Sequence, residues 1–156
     1  CIDSRTSVEL IFDQGLGDVF SVRIAGTIMN EDILGSLEFG CKVAGAKIIV
    51  VLGHTKCGAV KGACDQVEMG NLTTLLRKIQ PAVTAEKSVS ENRTSLNDSF
   101  VEKVTAINVR KTVQAVIEGS PILREMIKEG ACGIIGGNHD ISTGEVTFYG
   151  DTKLGF

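Results

Sequence analysis

Two short apolar runs, each rich in β-branched residues and each closing on glycine, constrain this chain more than any other feature. They are Lys47–Gly53 (KIIVVLG) and Cys132–Gly137 (CGIIGG). A run with no polar alternation suits a strand covered on both faces, the usual situation in a parallel sheet. Parallel strands need long crossovers, and the sequence between the runs carries helical spacing. In Asp32–Ala44, Ile33, Leu37 and Cys41 recur at steps of four, with Asn30 or Asp32 as cap. His54–Val67 reads as a turn and a Gly/Ala-rich helix. Asn71–Val89 places Leu72, Leu75, Leu76, Ile79 and Val83 on one face, with an interruption at Pro81. Ser90–Asp98 is a polar loop, Phe100–Glu118 a long helix ended by Gly119, Ser120 and Pro121, and Ile122–Glu129 a shorter helix. Asp18–Ile24 (DVFSVRI) is expected to be a further strand. Glu145–Tyr149 is expected to be a short alternating strand behind the turn Ser142, Thr143, Gly144. Strands alternating with helices predict an α/β three-layer domain with a central, mostly parallel sheet and helices on both faces.

A chain of 156 residues, 43% apolar and 22% charged, supports one domain over 1–156 and is not disordered or fibrous. Sixteen basic against nineteen acidic residues give a net charge of −3, and no Lys/Arg cluster offers a phosphate-binding face, which argues against a nucleic-acid partner. The longest apolar run, Ile48–Leu52, is far short of the roughly 20 residues a membrane helix needs. Five cysteines, an odd number, argue against a disulfide framework and for a reducing, cytoplasmic setting. The chain opens on Cys1 with a motif already under way, so an upstream part of the natural protein, with any targeting signal or fusion, is expected to precede it.

Ligands of parallel sheets sit at the carboxyl ends of strands. There, at the end of the first buried run, His54 and Cys57 form an H-x-x-C pair, which has metal-ligand spacing. The turn into a helix also favours a thiolate through unpaired backbone N–H groups. The opening CIDSR places a thiol (Cys1), a carboxylate (Asp3) and a guanidinium (Arg5) at alternating positions, which project to one side of an extended segment. Two thiolates and one imidazole make a three-ligand zinc set, the number that leaves a fourth position for water. Asp3 is the contender for that position, and a bidentate clamp from Arg5 would hold it off the metal as a hydrogen-bond acceptor for the water.

C-I-D-S-R at Cys1–Arg5, V-R-I-A-G at Val22–Gly26 and G-H-T-K-C-G at Gly53–Gly58, in this order and spacing, resemble the β-class carbonic anhydrases over most of the chain. The resemblance implies zinc (Zn2+) on Cys1, His54 and Cys57, a catalytic Asp3–Arg5 dyad, and a closed state in which Asp3 itself ligates the metal. It implies a small substrate pocket at Phe20, Ala25, Gly26, Phe39 and Gly58. Many relatives carry Tyr where Phe39 stands and Val where Ala25 stands, so this pocket lacks a hydroxyl and has a shorter apolar wall. It further implies an antiparallel strand at one edge of the sheet, for which Glu145–Tyr149 is the candidate, and a homodimer or dimer of dimers. The family's N-terminal helices, first central strand and a substrate-binding Gln lie before the C-x-D-x-R motif and are expected upstream of this sequence.

The implied activity is reversible hydration of carbon dioxide to bicarbonate and a proton by a zinc-bound hydroxide. Two alternatives stand beside it: hydrolysis of carbonyl sulfide or carbon disulfide on the same zinc site, and a catalytically silent, zinc-stabilised regulatory module. Intact Asp3 and Arg5 argue against silence, because a purely structural site would not need Arg5. Cys41, Cys64 and Cys132 are expected to be small core residues, with Cys64 a possible oxidation partner of Cys57. His139 and Asp140 are expected in a turn or interface. Arg23 is left between holding the dyad or a dimer surface and binding an anion.

Overall fold

A computed structural model describes residues 1–156. Its sheet has three strands in the order β1 (Ile48–His54), β2 (Gly133–His139) and β3 (Val146–Leu154). β1 and β2 are parallel, with Ile48 beside Gly133 and His54 beside His139. β2 and β3 are antiparallel, with an irregularity between Ile134 and Gly136. The two apolar runs are therefore the parallel pair, and the alternating segment is the antiparallel edge, extended to Leu154.

Seven helices accompany the sheet: α1 (Val8–Ile11), α2 (Glu31–Glu38), α3 (Gly58–Cys64), α4 (Gly70–Arg77), α5 (Gln80–Ala85), α6 (Asp98–Gly119) and α7 (Pro121–Lys128). Local chemistry sets their ends. The Asn30 and Asn97 side chains cap α2 and α6 by accepting from the N–H groups of Ile33 and Phe100, and Ser120 caps α7 from Leu123, with Pro121 in the first turn. The single helix expected over Asn71–Val89 is two, α4 and α5, with Pro81 at the start of the second. α2 continues as a π-helical turn over Phe39–Val43.

The core has two parts. Ile49, Val51 and Ile134 of the sheet pack with Val109, Val113 and Val116 of α6 and Leu123 of α7, while Val60, Leu76, Ile79, Phe100 and Val104 join α3 to α6. The sheet approaches α6 closely because it carries glycine there: a Cβ on Gly53 or Gly136 would stand 2.7 Å from a methyl of Val109. Glu86 is buried and fully engaged by Ser88, Val89 and Arg93, which closes the loop between α5 and α6.

The expected strand over Asp18–Ile24 does not form. Residues 19–24 make no backbone ladder, and Val19, Phe20 and Val22 are exposed. The cause is the absence of a neighbour: an apolar trough of about 680 Å³ separates this segment from β1, with Val22 and Ile24 on one wall and Ile48, Val50 and Leu52 on the other. A β-prone run with no adjacent edge has no partner for its N–H and C=O groups. No helix is long and apolar enough to cross a membrane.

Candidate metal centre

β1 delivers His54 at its carboxyl end, and the chain then turns sharply through Lys56, whose φ of 55° lies in the left-handed region, before Cys57 precedes α3. That turn returns the Cys57 sulfur toward the imidazole. Cys1 arrives from the N-terminal segment, so the ligand atoms of Cys1, His54 and Cys57 all lie within 4.8 Å of one another. The two sulfurs are 3.9 Å apart.

The imidazole shows how the donor set fits a metal. His54 is 1% exposed; its Nδ1 meets the Thr55 carbonyl at 2.9 Å, while its Nε2 is buried without a partner. The carbonyl fixes the tautomer, since Nδ1 must carry the proton, and Nε2 is left with a free lone pair. Burial lowers the His54 pKa, the Thr55 carbonyl opposing, and so favours the neutral form a metal requires. A buried acceptor with no donor facing two sulfurs fits zinc, which takes Cys and His in tetrahedral sites.

Asp3 stands outside the trio, and Arg5 holds it. Arg5 Nε donates to Oδ1 at 2.8 Å, Nη2 to Oδ2 at 2.7 Å, and the Arg5 backbone N–H to Oδ1 at 3.0 Å. These donors keep the Asp3 carboxyl well below the usual carboxylate range, the Arg5 side chain contributing most. Arg23 is spent on the main chain of the same loop. It donates to the carbonyls of Cys1 and Asp3 and to the hydroxyl of Thr6, and so orders Cys1–Thr6.

The expected pocket residues are dispersed. Phe20 and Phe39 pack edge to face with centroids 6.5 Å apart, both largely exposed; Phe20 lines the trough, which reaches Cys1, and Phe39 does not. Ala25 and Gly26 form a tight turn with Thr27, and the Gly26 N–H donates to the Cys1 sulfur at 3.4 Å. Gly58 opens α3 and is exposed. His139 is buried beside His54 in the strand register, its Nδ1 without a partner. Cys64 lies in the α3 core, and the sulfur that approaches Cys57 is that of Cys1. The other close thiols are Cys41 and Cys132, at 3.5 Å, with burial pushing Cys41 up to about 12.

Sequence reasoning passed over Thr55, whose carbonyl meets the His54 ring, and Asn108, whose side chain meets the Gly26 carbonyl. The stripe of Thr105, Asn108 and Thr112 with Val101, at steps of four, three and four, marks polar groups on a buried face of α6 without giving their partners.

Such a trio at the carboxyl end of a parallel strand, beside a clamped Asp–Arg pair, defines the class: an α/β chain with a cysteine- and histidine-lined group that could hold a metal ion. A family model described as carbonic anhydrase matches residues 1–146. Carbonic anhydrase 2 of Mycobacterium tuberculosis is 34% identical over 149 residues, covering 92% of this chain and 69% of the relative. A chain from the crystal structures of two tetrameric β-carbonic anhydrases of Sordaria macrospora superposes with a TM-score of 0.83 at 25% identity, over 96% of this chain and 77% of that one. A carbon disulfide hydrolase of Acidithiobacillus thiooxidans matches more locally, 31% identical over 67 residues, or 43% of this chain and 31% of its own. The chain belongs to the β-carbonic anhydrase family, a family of enzymes.

Proposed function

We propose that this chain catalyses the reversible hydration of carbon dioxide to bicarbonate and a proton on a zinc ion held by Cys1, His54 and Cys57. The observation that carries the reading is the buried, partnerless Nε2 of His54 facing two thiols, all within 4.8 Å, in a chain of this family. Bound zinc would supply the Lewis acidity that yields a nucleophile from water near neutral pH. The protein's part is to hold and orient. Thr55 fixes the His54 ring, and the Gly26 N–H restrains the Cys1 sulfur. Asp3 stays ionised and, with Arg5 engaging both its oxygens, is kept off the metal while retaining acceptor capacity toward a water. Of the expected pocket residues, Phe20 alone lines the apolar trough that reaches Cys1, and an apolar lining suits a linear, apolar substrate.

Two further points belong to this reading. The trough beside β1 is apolar, and it lies between residues 19–24 and the unpaired edge of β1, which suits a further strand pairing there. A homodimer or dimer of dimers is supported by the exposed Leu10 and Leu16 and by the tetramers described for the Sordaria relatives. A reducing, cytoplasmic setting suits the site, because a disulfide across the 3.9 Å between Cys1 and Cys57 would consume two proposed ligands.

The local match to a carbon disulfide hydrolase favours one second reading, hydrolysis of carbon disulfide or carbonyl sulfide on the same trio. A substrate panel on zinc-quantified protein separates them. Carbon dioxide hydration with no sulfide release from either sulfur substrate is expected; sulfide release without hydration would favour the hydrolase. Zinc at full occupancy with neither activity would leave the silent module.

A further inference from the structure

α6 passes behind the turn that meets the Cys1 sulfur, and it does so with three buried polar side chains on an otherwise apolar face. Thr105 returns its hydroxyl to the Val101 carbonyl of its own helix. The other two leave the helix for one three-residue turn: Asn108 Nδ2 donates to the Gly26 carbonyl at 2.8 Å, and Thr112 Oγ1 to the Thr27 carbonyl at 2.8 Å. Asn108 is 4% exposed.

Gly26 is the point through which this anchoring reaches the metal trio. Its N–H donates to Cys1 Sγ at 3.4 Å and its C=O is the group Asn108 holds. At φ 73° it occupies the left-handed region, and a Cβ there would stand 2.5 Å from Ile79 Cδ1, so glycine is required. Glycine also rotates more freely than any other residue, so an N–H aimed steadily at a sulfur needs its carbonyl fixed from outside. An N–H bonded to a thiolate fixes the sulfur's direction and draws charge from it, which tempers how much it donates to a metal.

We propose that Asn108 is a positioning residue for the metal centre: by holding the Gly26 carbonyl it aims the Gly26 N–H at the Cys1 sulfur and so restrains and tunes that ligand. This rests on the reading of Cys1, His54 and Cys57 as a zinc site. Thr112 supplies the internal control, because it anchors the neighbouring carbonyl, whose residue does not meet the sulfur.

The test measures zinc affinity by competition with a chromophoric chelator, and the thiolate-to-metal charge-transfer band of the Co2+-substituted protein. Both are read on the full chain as wild type, Asn108→Ala and Thr112→Val. Asn108→Ala is expected to bind zinc about 10-fold more weakly, because loss of the restraint on the Cys1 sulfur outweighs its stronger donation, and to move the band to longer wavelength, because a sulfur without its N–H donor gives up charge more easily. Thr112→Val is expected to lower stability and leave both readouts at wild-type values. If Asn108→Ala does not fold, Asn108→Ser, too short to reach the carbonyl, takes its place. Wild-type affinity and band in the Asn108 variant overturn the proposal, as does a Thr112→Val change of equal size, which would mean general loosening of the turn. A wild-type chain that binds no zinc overturns the zinc reading itself.

Discussion

The geometry around His54 makes each of the three proposed ligand positions answerable by one substitution. Cys57 stands at the end of a sharp turn with its sulfur 3.9 Å from that of Cys1, so replacing it removes a thiolate that nothing nearby can supply. Cys57→Ser is expected to lose most bound zinc, measured by elemental analysis; full retention would show the ligand assignment to be wrong. Asp3 tests chemistry apart from binding, because it lies outside the trio and is held by Arg5. Asp3→Asn keeps the shape but loses the charge. It is expected to retain zinc while turnover falls by about 100-fold or more, the scale of a lost proton-handling group. Unchanged turnover would remove the Asp3–Arg5 pair from the mechanism.

At the scale of elements, the seam between the sheet and α6 is where sequence changes are most damaging. A Cβ on Gly136 would meet Val109 Cγ1 at 2.7 Å and Thr152 and Val113 at 3.3 Å, whereas one on Gly150 would meet nothing within 4 Å. Gly136→Ala is expected to cost about 1–3 kcal/mol and Gly150→Ala close to nothing, compared by urea denaturation; equal midpoints would mean that the seam relaxes freely. The strands of this seam were legible in the sequence because Ile49, Val51 and Ile134 lie in short apolar runs that close on glycine, and the helix starts because Asn30, Asn97 and Ser120 carry capping side chains. The His54–Cys57 pair and the Asp3–Arg5 pairing were legible because each rests on spacing of a few residues, whereas Cys1 joined them through the chemistry of the donor set and the order of the motifs. Asp18–Ile24 was misread because its pattern records only a preference for extended backbone, while a strand also needs a neighbouring edge. Asn108 was missed for a related reason. Its role depends on a contact with Gly26, 82 positions away, that no local pattern encodes.

For the whole molecule, the titrating groups define a pH window. Asp3, Asp65, Glu86, Asp140 and Asp151 are all held below their ordinary values, chiefly by hydrogen bonds from Arg5, Ser95, Ser88, Ser142 and Arg110. Lowered carboxylates bind fewer protons folded than unfolded, so their contribution is full above about pH 4–5 and is lost as pH falls through the lowered values. Burial acts in the opposite sense on two thiols, pushing Cys41 up to about 12 and Cys64 to about 11. Unfolded thiols ionise near about 8.5, so stability is expected to decline from there upward. Urea midpoints should thus fall on both sides of neutrality, with Cys41→Val flattening the alkaline arm; a midpoint unchanged at alkaline pH would contradict the buried-thiol assignment. The central claim, that the Cys1, His54 and Cys57 site turns over carbon dioxide, is tested most directly by stopped-flow hydration against pH on zinc-quantified protein. A rate well above buffer, rising with pH and proportional to bound zinc, is predicted. Stoichiometric zinc with a rate at background from mildly acidic to alkaline pH would contradict it.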